Sequence, residues 1–292
     1  MALGRRALWR REVWVRRFLG VNALVAILSV ATIFGFLLYF TLPLLTSGRW
    51  GQVLAWQWQP FQGKYGILPM VMGSLALAGA ALILALPISV GVCGFIYLYS
   101  RNPLGQGVRL LVHFMTGIPT VVYGFVAVFL LVPFIRTVGG QGSGFSWLAA
   151  TLILALLILP TMVLIIDSQL AQIDEHLRLA TASLGLSPVQ ELWHIFFPSI
   201  FPGLLAAGVL GFGRALGDTL VALMLSGNAP QVPHSPLDSI RVLTAHIALV
   251  VATDSESIAY HSIFASGLLL FLLSTVINLA VQWLGPDKGR QR

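Results

Sequence analysis

Residues 173–203 read IDEHLRLATASLGLSPVQELWHIFFPSIFPG and lead into LLAAGVLGFGRALGDTLVALMLSGN at 204–228. Two long apolar runs flank this stretch, yet its first part is polar. Leu177, Ala180, Thr181 and Leu184 fall at i, i+3, i+4 and i+7, which is one face of a helix over 174–184. Gly185 is placed to end that helix, Ser187 to cap the next and Pro188 to occupy its first position. The second helix, 189–197, meets Pro198 and Pro202, after which an apolar segment runs on to about Leu225. Two short polar helices meeting at a glycine turn, set between membrane-length runs, predict a loop held outside a bilayer.

Composition agrees with a membrane protein. The 292-residue chain is 57% hydrophobic and 9% charged, against about 25% charged in an ordinary soluble domain. A span needs about 20 apolar residues, and six candidates lie near 18–45, 69–99, 109–135, 146–167, 200–225 and 258–284. The first has a basic flank, but its apolar run is too long for a signal peptide and lacks a small-residue cleavage site. The organisation expected is residues 1–64 as basic segment, first span and external loop, 65–284 as a five-span core carrying a polar loop at 168–199, and 285–292 as a tail. With the N-terminus inside, Arg5, Arg6, Arg10, Arg11, Arg16, Arg17, Arg101, Arg109, Arg178, Lys288, Arg290 and Arg292 are cytoplasmic, and Arg49, Lys64, Arg136 and Arg241 are outside. This excess of inner Lys and Arg places both termini in the cytoplasm. The net charge of +7 is therefore an orientation signal and not a nucleic-acid surface. Trp50, Trp56 and Trp58 fall outside, as interface anchors or as a docking surface, and the proline-containing loop 226–257 is no span.

Arg214 and Asp218 stand out in the fifth span. Spaced four apart on a continuous helix, they share a face and can pair. Arg214 lies twelve residues past Pro202, roughly 18 Å of helical rise and so near mid-bilayer. An arginine there costs on the order of 2.5–3.5 kcal/mol. Basic before acidic is the weaker order for a helical pair, so packing alone is a poor reason for them. A guanidinium fork suits a tetrahedral oxyanion. Gly213 and Gly217, four apart, allow close approach of another helix.

The loop resembles that of binding-protein-dependent ABC importer permeases, whose signature is Glu-Ala-Ala, three residues, Gly, nine residues, Ile-x-Leu-Pro. The register falls on Leu179-Ala180-Thr181, Gly185 and Ile195-Phe196-Phe197-Pro198, with Leu179, Thr181 and Phe197 departing from it. Gly213 to Thr219, GRALGDT, resembles the Arg-Ala-x-Gly-Glu-Thr segment of phosphate importer permeases, with Asp218 for Glu, and residues 223–228 resemble the C-type more than the A-type subunit. The resemblance spans roughly 65–284. It implies an all-α type I importer permease with six transmembrane helices and a cytoplasmic coupling loop between helices 4 and 5. It further implies a substrate path through Arg214, Asp218 and Thr219, and an ATPase-coupling surface comprising Glu175, Ala180, Thr181, Gly185, Glu191, Ile195 and Pro198. The partners implied are a second, homologous permease chain, a dimer of ATP-binding subunits that hold ATP and Mg, and an extracytoplasmic phosphate-binding protein, all at the bacterial inner membrane.

The chain carries no Gly-x4-Gly-Lys-Ser/Thr for ATP, no His-Glu-x-x-His and no Gly-x-Ser-x-Gly. Glu191-x-x-His194 occurs once, where a di-metal bundle needs two such pairs. Single Cys93 excludes a disulfide framework. The expectation is a transporter subunit that is no enzyme and binds no cofactor. Phosphate import leads, another oxyanion (molybdate, tungstate or sulfate) is the alternative, and an intramembrane enzyme built on Asp218 stands third.

Overall fold

The computed structural model describes residues 2–100, 102–140, 142–173, 175–251 and 257–284, so Arg101, Asp174 and the tail 285–292 lie outside the described residues, as does the Arg178 side chain. Among the described residues the fold is all-α apart from one small hairpin. Helix α1 (Ala2–Thr46) is followed by the short α2 (Trp50–Val53) and a two-stranded antiparallel pair, β1 (Trp58–Gln59) and β2 (Lys64–Tyr65). Then come α3 (Leu68–Leu98), α4 (Pro103–Thr116), α5 (Thr120–Gly139) and α6 (Trp147–Ala171). The loop helices α7 (Glu175–Ser183), α8 (Pro188–Glu191) and α9 (Phe197–Ser199) lead into α10 (Phe201–Gly217), α11 (Leu220–Leu225), α12 (Leu243–Val250) and α13 (Ile258–Leu284). Among the described residues five helices are long and apolar enough to cross a membrane. The pair Pro188–Ser199 and Phe201–Gly217, bent by 71°, makes a sixth only if its two halves are counted as one span.

α6 is the axle of the bundle because small residues let its neighbours approach. Leu77, Ala78, Ala81 and Ala85 of α3 and Ala207, Gly211 and Ala215 of α10 are buried against Leu154, Ile158, Met162 and Ile166 of α6. At Gly211 the Met162 thioether already fills the place of a side chain. Without a hydrophobic drive between helices in lipid, this close packing and polar cross-links hold the bundle. Ser89 and Cys93 of α3 supply the cross-links, donating to the carbonyls of Leu159 and Val163. By contrast the apolar stretch of α1 is exposed along almost its whole length and leans on α13 through Phe36, Phe40 and Phe264.

Two predicted spans are corrected. The run 109–135 is not one helix: Gly117-Ile118-Pro119 separates amphipathic α4 from α5, since proline disfavours a helical residue before it. The run 200–225 is likewise interrupted, at Asp218. The first span, read as 18–45, extends back to Ala2 as part of one helix.

Candidate functional site

Helix α10 stops at Gly217, Asp218 adopts extended backbone angles (φ −74°, ψ 122°), and α11 starts two residues later. The Asp218 carboxylate accepts the Val221 backbone N–H through Oδ1 at 2.8 Å, satisfying one of the orphan donors of α11. From α12, the Thr244 hydroxyl donates to the Asp218 carbonyl at 3.1 Å. The expectation of one shared helix face for Arg214 and Asp218 is therefore wrong, and the two do not form an ion pair. The capping requirement of α11 wins over a continuous helix. Gly217 followed by Asp218 and Thr219 is itself a stop-then-cap signal, and could have located the break. Asp218→Ala is expected to lose about 1 kcal/mol of stability and Asp218→Asn only a few tenths, because asparagine caps nearly as well; thermal melts in detergent followed by tryptophan fluorescence read the difference.

Arg214 points away from its own bundle. It is exposed, whereas Gly211, Ala215 and Leu216 around it are buried. It has no hydrogen bond or ion pair with the described residues. Asp218 keeps Oδ2 without a hydrogen-bond partner among the described residues. Thr219, half-buried, sits in the break itself.

The segment 226–242 closes over the end of α11. Gly227 (φ 77°) and Asn228 (φ 60°) reverse the chain, and Ser226 Oγ donates to the Ile240 carbonyl while Ile240 N–H donates to that of Ser226. Carbonyls of Asp238 and Pro236 accept the first N–H groups of α6, from Trp147 and Leu148. The Asp238 carboxylate accepts the His234 and Ser235 backbone N–H groups, both at 2.8 Å, which holds it below the usual carboxylate range.

The loop helices keep the predicted frame. Gly185 takes the left-handed conformation (φ 66°) after α7, and Ser187 and Gln190 form a reciprocal capping box with Pro188 at the first helical position. The second helix is a composite, α8 and α9 joined by a π-turn over Leu192–Phe196. Glu175, Ala180, Gly185 and Pro198 are exposed and Ile195 is half-buried, while Leu179, Leu184, Val189 and Trp193 present apolar surface beside them. Thr181 and Glu191 differ: Thr181 is 2% exposed and donates to Glu191 Oε1, and Tyr97 of α3 donates to Glu191 Oε2 at 3.1 Å. The hydroxyl of Thr181 explains one departure from the Ala of the signature. Tyr97 escaped the sequence reading, since nothing in one dimension pairs positions so far apart.

A small-residue bundle, a broken fifth crossing with an outward arginine and a helical pair projected between the fourth and fifth crossings define a membrane permease of the type I ABC importer fold. The profile of the family described as binding-protein-dependent transport system inner membrane component matches residues 84–290, and the chain belongs to that family. It is 34% identical over 237 residues to the probable ABC transporter permease protein YqgH of Bacillus subtilis, covering 79% of this chain and 76% of the relative. It is 26% identical over 256 residues to the phosphate transport system permease protein PstC of Haemophilus influenzae, covering 80% and 81%. Among solved structures, the inward-facing methionine transporter MetNI superposes with a TM-score of 0.59 at 17% identity over 78% of this chain and 97% of that one. A bacterial importer of alginate gives 0.58 at 15% over 94% and 98%. The chain is thus a multi-pass inner-membrane ABC importer permease.

Proposed function

We propose that this permease is the transmembrane subunit of an ATP-driven importer of inorganic phosphate. The observation that carries the reading is Arg214, a guanidinium presented outward at the broken fifth crossing with no hydrogen bond or ion pair among the described residues, near a carboxylate whose Oδ2 likewise has no partner among them. In this reading Arg214 faces the homologous partner bundle across the pathway and binds phosphate oxygens with its planar fork. Asp218 Oδ2 accepts a hydrogen bond from a protonated phosphate hydroxyl, which sulfate does not offer near neutral pH, and Thr219 lines the path. The relatives named as phosphate transport permeases support the same substrate.

The exposed Glu175, Ala180, Gly185 and Pro198 and the half-buried Ile195, with Leu184 and Trp193 beside them, form the face that enters a cleft of the ATPase. Both termini then lie in the cytoplasm, a dimer of ATP-binding subunits holds ATP and Mg there, and an extracytoplasmic binding protein delivers the anion from outside; a bacterial alginate ABC transporter similar in fold is in complex with an alginate pentasaccharide-bound periplasmic protein. Proteoliposomes containing this chain, a homologous second permease, the ATPase and the binding protein are expected to accumulate labelled phosphate only with ATP and all partners. Uptake of molybdate, tungstate or sulfate in place of phosphate would move the substrate to that oxyanion. Turnover by the purified chain alone would overturn the transporter reading in favour of an enzyme.

A further inference from the structure

The loop helices join the bundle covalently at two bends, one after α6 at Gln172 and Ile173 and one of 71° at Ile200. A bend transmits motion poorly. A firmer connection runs through α3. The Glu191 carboxylate of α8 receives the hydroxyl of Thr181 from α7 on one oxygen and that of Tyr97 from α3 on the other. Hydrogen bonds to an ionised acceptor are about twice as strong as neutral ones, and here both oxygens of a half-buried carboxylate are satisfied by different helices. Apolar contacts back the joint. Phe196 meets the Tyr97 ring edge-on at 5.5 Å, and Leu192 and Phe197 pack over Gly94, where an added side-chain carbon would lie 3.2 Å from Leu192.

The other end of α3 is fastened just as firmly, near the break. α3 is one helix of 31 residues, about 46 Å at 1.5 Å per residue. Near its start the backbone at Gly73 lies against the Arg241 carbonyl, and Ser74 Oγ accepts the Leu243 N–H at 2.8 Å in a buried position. Leu243 begins α12, whose next residue, Thr244, holds the Asp218 carbonyl. One helix, assigned as continuous through Pro87, therefore touches the loop helices at one end and, through two hydrogen-bonded residues, the interrupted fifth crossing at the other.

We propose that Tyr97, Thr181 and Glu191 are positioning residues that clamp α7 and α8 to α3, so that movement imposed on the loop helices reaches the Asp218 break along α3. The proposal rests on the ATPase-driven reading above for the source of the movement, but the clamp itself does not depend on the substrate. Its test has two arms. In the first, spin labels at the exposed positions Leu184 and Ser100 of the full chain in nanodiscs report the distance between the loop helices and the end of α3. A narrow distribution is expected, broadening in Tyr97→Phe/Thr181→Val and staying narrow in Thr181→Ser, which keeps the hydroxyl and loses the methyl. An unchanged distribution in the double variant, or broadening in Thr181→Ser as large as in the double variant, overturns the clamp whatever the chain transports.

In the second arm, the complex of permeases, ATPase and binding protein is assayed for labelled phosphate taken up per ATP hydrolysed. The double variant is expected to lower that ratio roughly tenfold with hydrolysis retained, the size expected when hydrogen bonds to a charged group are lost from a coupling element. Ser74→Ala, at the far end of α3, is expected to lower it in the same direction. Equal losses of uptake and hydrolysis, or an unchanged ratio, overturn the transmission along α3. Failure of the unaltered complex to couple ATP to uptake would instead count against the functional reading, leaving the first arm to decide the clamp.

Discussion

Arg214→Ala is expected to reduce phosphate uptake by about 100-fold or more, the scale on which losing one partner of a desolvated charged contact weakens an interaction. The chain should fold as before. Arg214 is exposed and has no hydrogen bond or ion pair with the described residues, so its removal leaves no buried partner stranded, and surface changes of this kind stay within roughly 0.5 kcal/mol. Arg214→Lys keeps the charge without the planar fork, and an intermediate loss, about tenfold, is expected from point-charge binding alone. Initial rates of labelled phosphate uptake in proteoliposomes, beside thermal melts of the same preparations, check both statements. Uptake by Arg214→Ala close to that of the parent would remove the arginine from the path and with it the central support for an anion substrate.

The second large effect concerns architecture. Gly227 sits at φ 77°, and a side chain there would overlap Ser239 Oγ and lie 3.0 Å from the Phe145 carbonyl oxygen. Ser239 cannot simply turn aside. Its hydroxyl donates to the Ser226 carbonyl and accepts the Ala229 N–H, so moving it takes a partner from the half-buried Ala229 N–H. A left-handed non-glycine residue alone costs roughly 1–2 kcal/mol. Gly227→Val is accordingly expected to destabilise by about 3–5 kcal/mol in total, among the largest effects of single substitutions, and to open 226–242 to protease. Gly208→Ala is the control, because a side chain at Gly208 meets nothing within 4 Å and alanine favours a helix interior over glycine by about 1 kcal/mol. Melting temperatures and the rate of limited proteolysis read both. Equal behaviour of the two variants would show that this closure contributes little to the folded state.

Most of the architecture was readable along the chain because its causes are local. Apolar length marks a crossing wherever it occurs, and four of the five long membrane helices fall where hydropathy placed them. The loop helices followed from a 3.6-residue period, a glycine able to take a positive φ at Gly185 and a serine cap before Pro188, each a property of a few neighbouring residues. Arg214 and Asp218 were conspicuous for the same reason, as ionisable groups in an apolar run.

Errors arose where hydropathy is blind to the hydrogen-bond ladder. The run 200–225 is apolar enough to cross whether or not its helix is continuous, so averaging hid the break at Asp218, just as it hid Pro119 between α4 and α5. Sequence by itself determined the class of molecule, four of its long membrane helices and the place of the loop helices, since burial in lipid and helix capping act over distances of one or two turns. Only the tertiary structure decided that Arg214 faces outward, that Asp218 is held from α12, and that Glu191 turns inward to Tyr97. Those outcomes depend on how helices remote in sequence pack and which donors they bring within hydrogen-bond reach of an acceptor, and no periodicity along the chain records that distance.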